Sequence, residues 1–259
     1  MTNDEENIDE ELKEKITQMV SEKLGFTPSK AEPGMRLYQD GDVEGAIEVW
    51  NNLVSRDPKD YEAWRLLGLA YHEEGDLENA INAYQRAIEL NAEDIELLKN
   101  QGKALFDSGK ISDAIKLWRK AIEVDGEDIQ AYLMLAYGLE ESGALKEALE
   151  VYDQLTDIDP VSIDGWINKG FIFMREEVKD LEKAKKFFEK ALDIDDSNPT
   201  AFYNLACVSA LEGNLQDTII YLERMLEIEP DWIDDIQDEA DFDGVRDHED
   251  FKKLMKEYA

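Results

Sequence analysis

Apolar residues recur along this chain at the three- and four-residue spacing of amphipathic helices, and a glycine interrupts the pattern at intervals. The stretch from Tyr61 to Asp94 shows the unit most clearly. The apolar face of its first half comprises Trp64, Leu67, Gly68 and Tyr71. The apolar face of its second half comprises Leu77, Ala80, Ile81, Tyr84, Ala87 and Ile88. Gly75 and Asp76 break the pattern between them, so we expect two antiparallel helices joined by a short turn.

This unit recurs on both sides at a spacing of 34 residues. The turn glycines are Gly41, Gly75, Gly109 and Gly143, and the alanines of the second helices are Ala46, Ala80, Ala114 and Ala148. A bulky residue follows each alanine by four places, as Trp50, Tyr84, Trp118 and Tyr152. The register then slips by two residues, resumes at Ala184 and Phe188, and continues at Thr218 and Leu222. The period therefore predicts six helical hairpins in phase.

These features resemble the tetratricopeptide repeat, a helix-turn-helix unit of about 34 residues. The resemblance implies an all-α fold, a right-handed α-solenoid of about six repeats spanning about 27–230. The expected repeats are 27–60, 61–94, 95–128, 129–162, 163–198 and 199–230. The first is expected to be degenerate, because Pro28, Pro33 and Gly34 interrupt its first helix and leave a short piece at 35–39. The fifth carries the two-residue insertion near 176–181.

Two terminal segments flank the repeats. The acidic segment 1–26 contains a predicted amphipathic helix at 9–24, with Leu12, Ile16, Met19, Val20 and Leu24 on its apolar stripe. It either caps the first repeat or is a displaceable segment that occupies the groove or docks on a partner. The segment 231–259 predicts a helix near 232–240, a tight stretch through Phe242 and Val245, and a last helix at about 248–258. It resembles the closing segment of many stand-alone family members, which implies a cover over the last repeat.

Composition narrows the function classes. The formal net charge is −34, from 62 acidic and 28 basic residues. Nucleic-acid binding is not expected, because phosphate contacts need a basic surface. The charge keeps the chain soluble and would attract basic partners at low salt. We expect no membrane span, because no apolar run approaches ~20 residues. The single cysteine and the absence of an apolar signal core favour the cytoplasm.

The residues offer no catalytic set, so we expect no enzyme, no cofactor and no metal. The two histidines, His72 and His248, lack clustered metal ligands, and His72 is expected at the surface. Cys207 lies among apolar residues and is interpreted as a buried, inert thiol. No Gly-rich phosphate loop follows a strand, because no strand is predicted.

The family resemblance places the first helix of each repeat along a concave groove. The implied groove residues are Arg65, Leu69, His72, Lys99, Asn100, Lys103, Leu133, Met134, Tyr137, Ile167, Asn168, Phe171, Tyr203, Asn204 and Cys207. Two regions stand out among them. A basic spot of Arg65, Lys99 and Lys103 would pair with an acidic group. An apolar strip runs from Leu133 and Met134 through Tyr137, Ile167 and Phe171 to Tyr203, and it would either anchor a partner or pack between adjacent repeats.

Some relatives hold a peptide C-terminal carboxylate with basic and asparagine side chains. Arg65 and Asn100 match two positions of that clamp, but Leu69, Gln130 and Met134 depart from the other three, so this activity is not expected. Asn100, Asn168 and Asn204 recur at one register, and in some relatives such a ladder holds the backbone of an extended peptide.

Two functions of different classes follow. The first is a non-enzymatic protein-protein interaction scaffold that binds a peptide or helix in its concave groove. The alternative is a self-assembling structural repeat protein, a homo-oligomer that stacks end to end or through the helix at 9–24. Fold alone does not choose between them.

Overall fold

The computed structural model describes residues 30–175 and 177–258, and within these residues every regular element is a helix. The first six helices are α1 Glu32–Gln39, α2 Val43–Arg56, α3 Tyr61–Glu73, α4 Leu77–Leu90, α5 Ile95–Asp107 and α6 Ile111–Val124. The next six are α7 Ile129–Glu141, α8 Leu145–Ile158, α9 Ile163–Met174, α10 Leu181–Ile194, α11 Pro199–Leu211 and α12 Leu215–Ile228. The last two are α13 Ile233–Asp238 and α14 Glu249–Tyr258. The predicted all-α class is confirmed.

The N-terminal segment 1–26, with its predicted helix at 9–24, lies outside the described residues. Whether that helix caps the repeats, is displaceable or drives self-association therefore stays a prediction.

The helices form two compact units, one ending at Val124 and the other beginning at Asp125. The first unit contains the hairpins α1/α2, α3/α4 and α5/α6, and the second contains α7/α8, α9/α10 and α11/α12 followed by the C-terminal segment. Within each unit, successive helices pack against each other, and the largest contacts join the two helices of one hairpin. Each hairpin is thus the local packing unit, at the period that the sequence indicates.

A glycine with a left-handed backbone lies in five of the six hairpin turns of the described residues, and in three of them the next residue caps the following helix. Gly75 adopts a φ of 75°, in the left-handed region that favours glycine, and ends α3. The next residue, Asp76, accepts a hydrogen bond from the backbone N–H of Asn79 at 3.2 Å and caps the start of α4. The same left-handed conformation recurs at Gly41, Gly109, Gly143 and Gly213. Regular spacing of these glycines therefore produces regular turns.

A glycine against an aromatic ring holds the two helices of a hairpin close together. A Cβ added to Gly68 would lie 2.3 Å from the Tyr84 ring, and one added to Gly102 would lie 2.3 Å from the Trp118 ring. The equivalent pairs in other hairpins are Gly34 with Trp50 and Gly170 with Phe188. All four rings are buried. Because glycine has no side chain, the aromatic ring from the other helix of the hairpin fills the space beside it.

The first hairpin is more regular than the sequence pattern suggests. Helix α1 begins at Glu32 and not near residue 35, because Pro33 lies in its first turn, where no intrahelical N–H is required. Gly34 also belongs to the helix, since it accommodates the Trp50 ring. The Trp50 indole N–H donates to the carbonyl of Ala31 at 3.1 Å and ties the two helices together.

The insertion in the fifth repeat lies in the turn between α9 and α10. Lys179 adopts a φ of 42° there, the one non-glycine residue of the described part with a left-handed backbone. Asp180 then caps α10 through the backbone N–H of Lys183 at 3.2 Å. The Gly170–Phe188 contact is preserved, so the longer turn leaves the packing of the hairpin unchanged.

The C-terminal segment is more broken than predicted. Residues 230–232 and 240–242 form short 3-10 turns, and α13 between them ends at Asp238. The helix predicted near 232–240 is present but shorter, because Glu239 adopts an extended backbone with a ψ of 121° and ends it. Phe242, Val245 and Phe251 are buried in a core shared with α11 and α12.

Candidate functional site

A groove of about 450 Å³ lies in the second unit, between α7, α8 and α9. Five of the predicted groove residues line it, namely Leu133, Met134, Tyr137, Asn168 and Phe171. Sequence reasoning missed the other three, Glu140, Tyr152 and Asp164. The signal for the two acids was helical spacing: Glu140 follows Tyr137 by three residues on α7, and Asp164 precedes Asn168 by four on α9.

Two large aromatic rings at this groove remain exposed to solvent. The exposed fraction is 51% for Tyr137 and 40% for Phe171. Phe171 contacts the buried Phe188 ring edge to face, with ring centroids 5.9 Å apart, so the core supports its position. Ile167, by contrast, is buried in the core. The predicted apolar strip is therefore not continuous at the surface. Ile167 packs inside the unit, whereas Tyr137 and Phe171 are exposed to solvent.

The floor of the groove contains a hydrogen-bonded acid. The Tyr152 hydroxyl donates to Glu140 Oε1 at 2.7 Å, and the Tyr152 ring is buried. Burial raises the pKa of Glu140, and the hydrogen bond from Tyr152 opposes that rise without cancelling it. Burial also raises the pKa of Tyr152 strongly, so the tyrosine remains the donor. Glu140 is therefore a partly desolvated carboxylate that faces an open hollow.

In the first unit, each cation of the predicted basic spot already has an acidic partner. Arg65 donates to both oxygens of Glu62, at 2.9 and 2.6 Å. The Lys99 ammonium lies 2.7 Å from Glu96, and its side chain is only 8% exposed. Arg65 and Lys99 therefore do not form a positively charged surface that would attract an acidic ligand. Helical spacing indicated this pairing, since three residues separate the members of each pair.

The third cation of that spot belongs to a small cluster. Asp107 Oδ2 lies 2.9 Å from the Lys103 ammonium and 2.8 Å from His72 Nε2. The His72 side chain is only 16% exposed, so it is more enclosed than the sequence indicated. Burial alone would raise the pKa of Asp107, but the hydrogen bonds from Lys103 and His72 lower it below its usual value.

The remaining predicted groove residues lie apart from this groove. Asn204 is buried, and its amide donates to the carbonyl of Thr200 at 2.7 Å, which removes it from the proposed asparagine ladder. Tyr203 lines a different hollow, where its hydroxyl lies 3.2 Å from Glu239 Oε2 and its ring contacts Trp232. In the first unit, Leu69 on α3 and Asn100 on α5 are half-buried.

The chemistry of the other singled-out residues is limited. Cys207 is buried, and burial raises the pKa of its thiol far above the usual value. Across residues 30–175 and 177–258, histidine, cysteine and acidic side chains do not gather in groups of three or more that could hold a metal ion. The helices of that same part are too short or too polar to cross a membrane.

Two family models match the chain. Residues 53–161 match the TPR domain of cytochrome c-type biogenesis protein H, and residues 163–198 match a tetratricopeptide repeat. The chain belongs to the tetratricopeptide repeat family. Its fold is the all-α repeat solenoid that the resemblance implied.

Solved structures share this fold. A crystal structure of MamA is 25% identical and covers 63% of this chain and 94% of its own, with a TM-score of 0.58. The C-terminal part of a TPR repeat-containing protein from Cytophaga hutchinsonii is 17% identical and covers 88% of this chain and 93% of its own, with a TM-score of 0.70. YrrB, described as a TPR protein with an unusual peptide-binding site, is 19% identical and covers 71% of this chain and 94% of its own, with a TM-score of 0.54. A comparison with curated protein sequences found no match.

Proposed function

We propose that this chain is a non-enzymatic scaffold that binds a peptide or helical segment of another protein in the groove of its second unit. Membership of the tetratricopeptide repeat family supports a role in protein interaction. The observation that carries the proposal is the pair of exposed rings, Tyr137 and Phe171, which both line a hollow of about 450 Å³. Large exposed aromatic side chains at a concave surface are typical anchors of protein interfaces.

The exposed ring area is large enough to matter for affinity. An aromatic side chain buries 150–250 Å² in full, so a half-exposed ring has about 100 Å² left to cover. At about 25 cal/mol per Å², covering each ring stabilises a complex by about 2.5 kcal/mol. Leu133 and Met134 extend the apolar surface beside the rings. The two rings together therefore supply about 5 kcal/mol of apolar burial, which offsets part of the free-energy cost of association.

The charge distribution favours a protein partner. A net charge of −34 repels nucleic acid, whereas it attracts basic proteins. The cations once expected to hold an acidic group are paired with Glu62, Glu96 and Asp107. YrrB, which shares the fold, carries a peptide-binding site by its description, and this supports the same general role here.

A peptide selection on the full chain tests the proposal. A displayed library of random peptides is panned on the wild type, and the recovered peptides are measured for affinity to a Tyr137→Ala/Phe171→Ala variant. We expect the double variant to lose at least about 50-fold in affinity, since two anchors of the size derived above are removed.

The matched control removes two large exposed apolar residues outside the groove, as Leu90→Ala/Leu211→Ala. Both residues lie at helix ends, and neither lines the hollow. This control should bind like the wild type. Peptides that bind equally to all three proteins would show that the groove is not the binding surface.

A further inference from the structure

The groove of the second unit has carboxylates on two of its sides. Glu140 belongs to α7 and Asp164 to the first turn of α9. Within the described part of the chain, neither acid forms an ion pair. Arg175 acts on Glu140 only through space, because its own ion pair joins it to Glu177 at 3.8 Å. Two acids beside an open hollow therefore retain their capacity to bind a cation.

Glu140 is oriented toward that role by its one hydrogen bond. Tyr152 donates to Oε1 at 2.7 Å, which holds the carboxylate in place and leaves the lone pairs of Oε2 for another donor. Burial raises the pKa of Glu140 because the surroundings solvate its charge poorly. An arriving cation would replace that missing solvation, so the partly buried carboxylate gains more from a cation than a fully exposed one does.

The aromatic rings of the groove add a second attraction for a cation. An ammonium or guanidinium group over the face of Tyr137 or Phe171 would be held by the ring quadrupole. These rings are exposed on the same hollow as the two acids. The groove thus combines aromatic faces, carboxylates and a tyrosine hydroxyl, which is a cradle for a basic side chain with an apolar stem.

The same unit already holds one of its own lysines in such a cradle. The Lys169 ammonium lies 2.6 Å from Asp153, 4.5 Å from the Trp166 ring centroid and 4.8 Å from that of Phe187. The Thr156 hydroxyl completes the set at 3.4 Å, and the Lys169 side chain is buried. An acid, two aromatic rings and a hydroxyl are therefore sufficient, in this fold, to enclose a lysine side chain.

We infer that the partner presents a lysine or arginine flanked by apolar residues, and that the basic head binds between Glu140 and Asp164. The inference rests on the proposed function, because it assigns the chemistry of the segment that enters the same groove. The apolar neighbours of the basic residue cover Leu133 and Met134, while its stem lies against Tyr137 and Phe171. This is the opposite charge preference to that of the basic spot expected from the sequence.

The test compares two synthetic peptides derived from the panning selection. One carries the selected basic residue as lysine, and the other carries norleucine, which keeps the apolar stem and removes the charge. For the wild-type chain, we expect the lysine peptide to bind about tenfold more tightly at low salt, with a smaller ratio at high salt. For a Glu140→Gln/Asp164→Asn variant, the two peptides should bind equally.

A charge control separates local recognition from the general attraction of an acidic protein. Glu150 and Asp157 are exposed on α8 and do not line the groove, so Glu150→Gln/Asp157→Asn removes the same charge elsewhere. This control should keep the tenfold ratio. Gln at position 140 can still accept the Tyr152 hydrogen bond, so the fold of the test variant is preserved, and circular dichroism verifies this.

Equal binding of the two peptides to the wild type would overturn the inference. If Tyr137→Ala/Phe171→Ala nevertheless abolishes both interactions, the groove remains the binding site and only its preference for a cation is refuted. Peptides that bind regardless of both double variants would refute the groove as well. A ratio that falls equally in the charge control would also overturn the inference, because the attraction would then be general.

Discussion

Two tyrosines at equivalent positions should respond in opposite directions to loss of the hydroxyl group. Tyr84 in the second hairpin and Tyr152 in the fourth both pack against the first helix of their own hairpin, and both are buried. The Tyr84 hydroxyl has no hydrogen-bond partner among the described residues, whereas the Tyr152 hydroxyl donates to Glu140 at 2.7 Å. The substitutions Tyr84→Phe and Tyr152→Phe therefore remove the same atom from two different environments.

The magnitudes follow from the cost of burying a polar group. A buried hydroxyl without a partner costs about 1–3 kcal/mol, so Tyr84→Phe should raise the free energy of unfolding by about 1 kcal/mol. Tyr152→Phe removes a hydrogen bond to a charged acceptor and should lower the free energy of unfolding by about 1–2 kcal/mol. The predicted difference between the two variants is thus about 2–3 kcal/mol, with opposite signs.

Urea unfolding followed by circular dichroism measures both changes. A change of 1 kcal/mol shifts the midpoint by about 0.3–1 M urea. Hydrogen exchange in α3–α4 and in α7–α8 then assigns each shift to its own hairpin. A Tyr84→Phe variant that unfolds at lower urea than the wild type would contradict this prediction, because it would show that the Tyr84 hydroxyl makes a stabilising interaction.

Three further substitutions probe the turns and the acids. Gly75→Ala should lower the free energy of unfolding by about 1 kcal/mol, because an L-residue is strained at a φ of 75°. Thermal unfolding measures this change, and an unchanged melting temperature would contradict the prediction. Asp107→Asn should lower the free energy of unfolding by ~0.5–1 kcal/mol near neutral pH and should leave it unchanged at about pH 2. The reason is that the pKa of Asp107 is lowered in the folded state, so its contribution to stability is lost as pH falls through that pKa. An equal loss at both pH values would contradict the pairing of Asp107 with Lys103 and His72. Glu140 has a raised pKa, so its stability contribution is present below the unfolded value and lost as pH rises through the folded one. The melting temperature of the wild type should therefore rise relative to Glu140→Gln between about pH 7 and pH 4, and a constant difference would contradict this.

The repeat architecture was readable from the sequence because it depends on local chemistry. Gly75 must adopt a left-handed backbone and Gly68 must leave space for the Tyr84 ring, so both recur at a fixed period. The start of α1 was misplaced because Pro33 and Gly34 were interpreted as breaks, although a first turn tolerates proline and the Trp50 ring requires glycine.

The candidate site was only partly predictable. Tyr137 and Phe171 follow from helical register, which places them on the same face as other groove positions. Register cannot tell whether a side chain is covered by a neighbouring helix, and this is why Ile167 and Asn204 proved to be buried. Nor does it reveal a contact such as Tyr152 with Glu140, because that hydrogen bond joins two helices of a hairpin.

The charge of the site could have been inferred more closely. Arg65 follows Glu62 by three residues, and Asp107 follows Lys103 by four, which are the spacings of ion pairs on a helix. These spacings predict that Arg65 and Lys103 are paired within their own helices, so the sequence itself argues against a basic spot. The unpaired state of Glu140 and Asp164, by contrast, depends on where all neighbouring cations lie in three dimensions.

A crystal structure of the full chain with the selected lysine peptide would show whether the basic residue binds in the groove of the second unit. We expect the lysine ammonium within hydrogen-bond distance of a carboxylate oxygen of Glu140 or Asp164, with the neighbouring apolar residues on Tyr137 and Phe171. A peptide bound at another surface, such as the hollow between α12 and α14, would contradict it.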